Sequence, residues 1–344
     1  MINTPKNQGF QMPGEWEKHS ATWLAWPYDE ITFPNRVPKI EQTYCQIIKT
    51  LTKHEKVKII IRNETVKNKI TDLLEQIGSS STNVEFYVCD YADVWVRDYG
   101  PTFLKNSQNH KAWVKWNYNA YGNKFPDLLK DKNIFNLIDK NVAGKKFMAD
   151  IILEGGAIEV NGQNLALTTE ECLLNPNRNP NFSKTATEEL LKSYLGVDKV
   201  IWLKQGLIND HTDGHIDMVA RFVNTDTILL TWTDDTNNPN YKSLLENYNL
   251  LIKETTLQGS KLNIIKLPLP NINYDSGELA PASYANFYIA NNCLLIPSFG
   301  LPSDDEANKI IGHYFGDRLI TNIDCNDLLY GGGTIHCITQ QEPE

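Results

Sequence analysis

Apolar positions along this chain fall into two alternating rhythms. Residues 37–54, VPKIEQTYCQIIKTLTKH, place Ile40, Ile47, Ile48 and Leu51 on one side of a helix. VKIIIR at 57–62 follows as a short, mostly apolar run, the pattern of a buried strand. The helical period returns at 65–78, closed by Gly78, and VEFYVCD at 84–90 is another strand. The same order recurs downstream. Helical patterns at 183–196, 238–256 and 303–317 lead into KVIWLK, KLNIIKLP and RLITNID. Polar, Gly- or Asp-rich loops and further strands complete the pattern: WVRDYGPTFLK with KAWVKWNYN, HIDMVARFV with TILLTWT, YANFYIAN with CLLIPSF, and IHCITQQ. DIILEGGAIEV with NLALTT reads as the hairpin of one more unit. The structure repeats although the letters do not. Each unit is too small to bury its own apolar face, so the units must pack about a common centre, and their equivalent loops converge there.

Composition narrows what such a molecule does. With 344 residues, 41% of them hydrophobic, the chain can form two ordinary domains or one large one. The net charge of −9, with lysines scattered and no basic stripe among aromatics, argues against nucleic acid and suits a small cation. No apolar run approaches the ~18 residues of a membrane span. The first residues, MINTPKNQGFQMPG, have no apolar segment of the kind a secretory signal needs. Six cysteines form no C-x-x-C pair, so free thiols in a reducing cytoplasm are expected.

The loops with the strongest turn chemistry hold the reactive residues: WVRD (95–98), EGG (154–156), HTDGHID (211–217) and GGGTIHC (331–337). Read as a strand, WVRD sends Arg97 and Asp98 to opposite faces. His211 and His215 are four apart, the spacing of a zinc clip on a helix, but Thr-Asp-Gly between them breaks a helix. Read as a strand, the segment sets His215 and Asp217 on one face, a general base beside a carboxylate. Glycines let a backbone or ligand approach closely, and a cysteine behind such a loop is a candidate nucleophile. Cysteine, histidine and several carboxylates suit covalent attack on a planar cation such as a guanidinium, which carboxylates grip through paired N–H bonds.

These residues carry a resemblance. MPGEWEKHSATWLAWP, DVWVRDYGPTF, EGGAIEVNG, HTDGHIDMVARF and GGGTIHCITQQEP, spread over nearly the whole length, are similar to the agmatine deiminases of the guanidine-modifying pentein superfamily. The resemblance implies one catalytic domain over 1–344, an α/β five-bladed propeller (the pentein fold) of ββαβ-like units with pseudo-fivefold symmetry. The first and last segments would share a blade. It implies Cys337 as nucleophile, His215 as general acid and base, Asp217 and Asp98 as guanidinium carboxylates, Trp95 beside them, and Glu154 orienting the histidine. No role carries over to His211. His336, next to the nucleophile, is expected to point away from the substrate. No cofactor or metal is implied, a homo-oligomer is, and the substrate class is a small cationic guanidine, agmatine. The six arginines all fall away from the expected pocket: Arg97 faces the other way, Arg221 lies about 13 Å along a strand, and the other four lie outside the motif loops. An α-carboxylate such as that of arginine would then find no partner.

Overall fold

The computed structural model describes residues 3–344; residues 1 and 2 of the domain expected over 1–344 lie outside the described residues. Its helices start and stop where local chemistry dictates. Val37–Leu51 has Pro38 in its first turn and buries Ile40, Tyr44, Ile47, Ile48 and Leu51 on one stripe. Glu64–Gln76 begins at Asn63, whose side chain accepts from the Val66 N–H, and Gly78 follows in the left-handed region at φ 67°. Lys184–Leu195 is capped by Ser183 and closed by Gly196 at φ 72°. Tyr241–Leu251 and Pro302–Tyr314 are the other two long helices expected.

Among the described residues the strands form five sheets, and each repeats one motif. Two strands pair antiparallel, and a third joins in parallel: Glu159–Val160, Leu165–Thr169 and Lys199–Leu203 in one sheet; Ala220–Phe222, Thr227–Trp232 and Asn263–Pro268 in the next; Tyr288–Ala290, Cys293–Ser298 and Leu319–Asp324 in the third. A long helix bridges the second and third strand of each, the right way to join parallel neighbours. The remaining two sheets add an edge strand. Phe10–Gln11 flanks Thr102–Asn106, Lys111–Asn117 and Lys145–Ile152; Val84–Val88 extends Gln340–Pro343, His19–Ala25 and Lys56–Ile61. Ile59, Ile60 and Ile61 are fully buried, as a strand covered on both faces must be.

Chain start and chain end therefore share a sheet. Gln340–Pro343 runs antiparallel to His19–Ala25, and Glu342 Oε2 accepts from Trp23 Nε1 at 2.9 Å and from Lys58 Nζ at 2.8 Å. Three local readings change. Residues 150–152 close the preceding sheet, and the hairpin begins only at Glu159. Val96–Tyr99 is one helical turn rather than a strand, and His215 leads into the 3-10 turn Ile216–Met218 rather than lying on a strand. Loops aimed at a centre turn too sharply for extended backbone.

Candidate active site

The glycine run is required by crowding. A Cβ on Gly333 would lie 2.9 Å from Cys337 Sγ and from the Trp95 ring, and Gly332 sits at φ 94°. Gly333 thereby fits closely against both Cys337 and Trp95, and Cys337 is held by Asn286. The Asn286 amide donates to Sγ at 3.2 Å, and its Oδ1 accepts from Thr334 Oγ1 at 2.8 Å. Asn286 was read only as part of a strand; nothing in YANFYIAN marks it, because its role depends on a contact 51 residues away.

EGG packs by the same logic. A Cβ on Gly156 would meet His215 Nδ1 at 2.6 Å, Asp98 Oδ1 at 2.8 Å and Asp217 Oδ2 at 3.1 Å. This glycine lets three loops converge. Its N–H donates to Asp98 Oδ1 at 2.9 Å, and Tyr121 OH donates to Asp98 Oδ2 at 2.8 Å. His215 Nδ1 lies 3.7 Å from Asp98 Oδ1, and Cys337 Sγ lies 3.7 Å from Asp217 Oδ2. Cys337, His215, Asp217, Asp98 and Trp95 thus meet around one spot.

Glu154 stands close to His215 Nε2, at 4.0 Å, but its direct partner is Arg178, whose Nε donates to Oε1 at 2.8 Å. Arg178 also reaches Asp213 and the Thr212 carbonyl, which fastens the HTDG loop. It had been placed outside the motif loops; the fold brings it in. The expectations for Arg97 and Arg221 hold. Arg97 does turn away, to the His336 carbonyl and Gln341, although on a helical turn. Arg221 lies on the strand Ala220–Phe222 and does not line the cavity, its guanidinium paired with Glu15 and Glu159, although its charge still helps hold Asp217 low. His336 stays out of the cavity lining, as expected, but lies behind Asp217, its Nδ1 2.8 Å from Asp217 Oδ2. The segment around it is not a strand, so alternation does not govern it.

Burial sets the electrostatics. It pushes the Cys337 thiol well above its ordinary pKa, with Asp217 and Asp98 adding like-charge repulsion. Asp98 rises to about 6 because burial and the Asp217 charge outweigh His215 and the Tyr121 and Gly156 hydrogen bonds. Burial would do the same to Asp217, but His336, His215 and Arg221 pull it below the usual range. Burial favours a neutral His215 ring, yet Asp98, Cys172 and Asp217 lift its pKa well above the ordinary value. Glu154, Cys172 and His215 bring three potential ligand atoms within 4.8 Å of one another. Arg178 on Glu154 and a readily protonated His215 make that cluster a poor cation site.

A cavity of about 220 Å³ leads to Cys337 and Asp98, between Trp95 and Tyr121, with Asp93, Phe125 and His211 among its walls. Among the described residues lining it there is no lysine or arginine. Asp93 accepts from Trp95 Nε1 at 2.9 Å and from Thr32 Oγ1 at 2.7 Å, and so aligns the indole. His211 contacts the Phe125 ring at 6.1 Å.

Fold and site together define an α/β chain of repeated three-stranded units that holds a buried thiol among carboxylates. DDAH from Pseudomonas aeruginosa, 11% identical with a TM-score of 0.53 over 94% of this chain and 99% of its own, shares that fold. More narrowly, the chain belongs to the Porphyromonas-type peptidyl-arginine deiminase family, whose pattern matches residues 11–343. The agmatine deiminase of Enterococcus faecalis is 31% identical with a TM-score of 0.90, covering 100% of this chain and 99% of its own. A C. jejuni agmatine deiminase variant with substrate bound is 29% identical, with a TM-score of 0.85 over 97% and 96% of the two chains. A Mycoplasma capricolum relative, provisionally named an agmatine deiminase, is 38% identical over 364 residues, covering 100% of this chain and 98% of its own.

Proposed function

We propose that this chain hydrolyses agmatine to N-carbamoylputrescine and ammonia through a covalent intermediate on Cys337. One observation carries the reading: a buried thiol, an imidazole and two carboxylates of opposite pKa displacement meet at the end of a cation-free cavity. The chain acts as one catalytic domain over 1–344, with its five sheets as blades about one pseudo-fivefold axis.

Asp98 and Asp217 hold the guanidinium by charge-assisted hydrogen bonds. The arriving cation offsets the repulsion that disfavours the thiolate, so Cys337 gives up its proton to solvent as substrate binds. The sulfur attacks the central carbon, and His215 donates its proton to the departing nitrogen, which leaves as ammonia. An S-alkylthiouronium remains on Cys337. Neutral His215 then takes a proton from water and the hydroxide adds to the carbon; collapse expels the Cys337 sulfur, which takes up the proton of the new hydroxyl, and frees the ureido product.

Agmatine carries an ammonium where arginine adds an α-carboxylate. A cavity lined by Asp93 and Asp98 and by no cation favours the ammonium and leaves a carboxylate unpaired, a cost of about 1–3 kcal/mol. Agmatine, L-arginine and an arginine peptide, each scored for ureido product and ammonia, test this. The expected preference for agmatine is at least about ten- to hundredfold in kcat/KM. Equal values for agmatine and arginine would assign the reaction to a different substrate.

A further inference from the structure

Backbone and tyrosine donors hold Asp98, but Asp217 is held by a histidine. His336 Nδ1 lies 2.8 Å from Asp217 Oδ2, and its Nε2 lies 2.9 Å from Glu15 Oε2. All three side chains are buried. Glu15 anchors the row: its Oε1 forms an ion pair with Arg221 Nη2 at 2.9 Å and accepts from the Ile289 N–H at 2.9 Å, and Arg97 stands 3.5 Å from Oε2. Behind Arg221, Glu159 pairs at 3.0 Å. Ahead of Asp217 stand His215, Cys337 and Asp98. Asp217 Oδ1 has no hydrogen-bond partner among the described residues.

We propose that His336 is a positioning residue of the site: its Nδ1–H occupies Asp217 Oδ2 and so leaves Oδ1 aimed at the substrate guanidinium. This rests on the reading of Asp217 as a guanidinium carboxylate. A buried carboxylate with one oxygen fixed cannot rotate, so its other oxygen keeps one direction. Two N–H···O contacts to two carboxylates need two ring protons, one more than a neutral imidazole carries. Burial, then Arg221 and Arg97, draw the ring's pKa down, so one of the two protons leaves as the pH rises. Asp217 and Glu15 are both held ionised, but Glu15 also has the Ile289 N–H, Arg221 and Arg97, whereas His336 is the N–H partner of Asp217 among the described residues, so a single ring proton serves best at Nδ1. The row also joins distant chain segments, since Glu15 comes from the GEW turn near the start and His336 from beside the nucleophile.

The test exploits amide geometry. Asparagine places its N–H where Nδ1 sits, and glutamine places its N–H where Nε2 sits. His336→Asn should stay within about threefold of the parent kcat/KM for agmatine. His336→Gln should raise KM about tenfold or more, change kcat less, and move the acid limb of kcat/KM to higher pH, because Asp217 loses its strongest donor. Equal losses in both folded variants, or His336→Gln with a parental KM and acid limb, would reduce His336 to packing. Nitrogen NMR of labelled histidine in the parent protein at neutral pH is a second readout should His336→Gln not fold. It should show a protonated His336 Nδ1, assigned by its loss in His336→Asn; a bare Nδ1 would overturn the inference. Parent protein that releases no ammonia from agmatine would refute the substrate instead, and the NMR outcome would still decide His336.

Discussion

The two carboxylates that flank Cys337 are chemically the same and electrostatically opposite. Asp98 sits against Tyr121, the Gly156 N–H and His215, and rises to about 6. Asp217 is equally buried but backed by His336, with Arg221 behind it, and falls below the ordinary value. Burial and the Asp217 charge tune one acid up against the pull of its polar wall, and a charged wall tunes the other down. The site thus keeps one carboxylate firmly ionised before substrate arrives and a second whose ionisation the incoming cation completes.

Removing the thiol strips chemistry from both walls at once. Cys337→Ala should lower turnover on the order of 10⁴-fold or more while leaving the fold intact. Mass spectrometry should then find no adduct from a haloacetamidine, whereas the parent takes one on Cys337. An active Cys337→Ala protein would end the covalent mechanism.

Neutralising each wall separately sharpens the contrast. Asp98→Asn and Asp217→Asn should each cost about ten- to hundredfold in kcat/KM, as expected for lost charge-assisted bonds. Stability should tell them apart. Asp217 is depressed in the folded state, so its ionisation stabilises the fold above the unfolded value of about 3.9, and that contribution is lost as pH falls through the folded value. Its removal leaves His336 Nδ1 without its carboxylate, at about 1–3 kcal/mol. Asp98 is raised, so its ionisation costs stability as pH climbs from about 3.9 through about 6. Asp98→Asn should therefore be neutral or slightly stabilising at pH 7–8. Equal melting temperatures for the two variants would contradict the opposed walls.

A subtler change touches only the tuning. Tyr121→Phe removes the hydrogen bond that favours ionised Asp98, so the acid limb of kcat/KM near pH 6 should move up by on the order of one unit. A limb that stays in place would mean another group sets it. The smallest expected effect is none: dialysis against a chelator should leave activity unchanged, because Arg178 occupies Glu154 and His215 readily carries a proton. Activity lost there and restored by zinc would turn Glu154, Cys172 and His215 into ligands.

Legibility followed the range of the interactions. Helix limits at Gly78, Ser183 and Gly196 were readable because a cap is decided within a few residues. The loops carrying Cys337, His215, Asp217, Asp98 and Glu154 were readable because their turn chemistry is local and their motifs are specific. Strand alternation misjudged 95–98 and 215–217 because converging loops bend into single turns. Glu15, Asn286, Arg178 and His336 gave no local sign of their contacts. Each acts through partners 24 to 321 residues away.

By itself, the amino-acid order determined the repeating helix and strand units, the family resemblance and the residue types gathered in the motif loops, since periodicity and turn chemistry act over a few residues. Only the tertiary structure decided which buried charges face one another. That choice makes Asp217 a stabilised anion and Asp98 a reluctant one, because a pKa in a dry interior is set by the nearest charges and donors, and the fold alone brings those together.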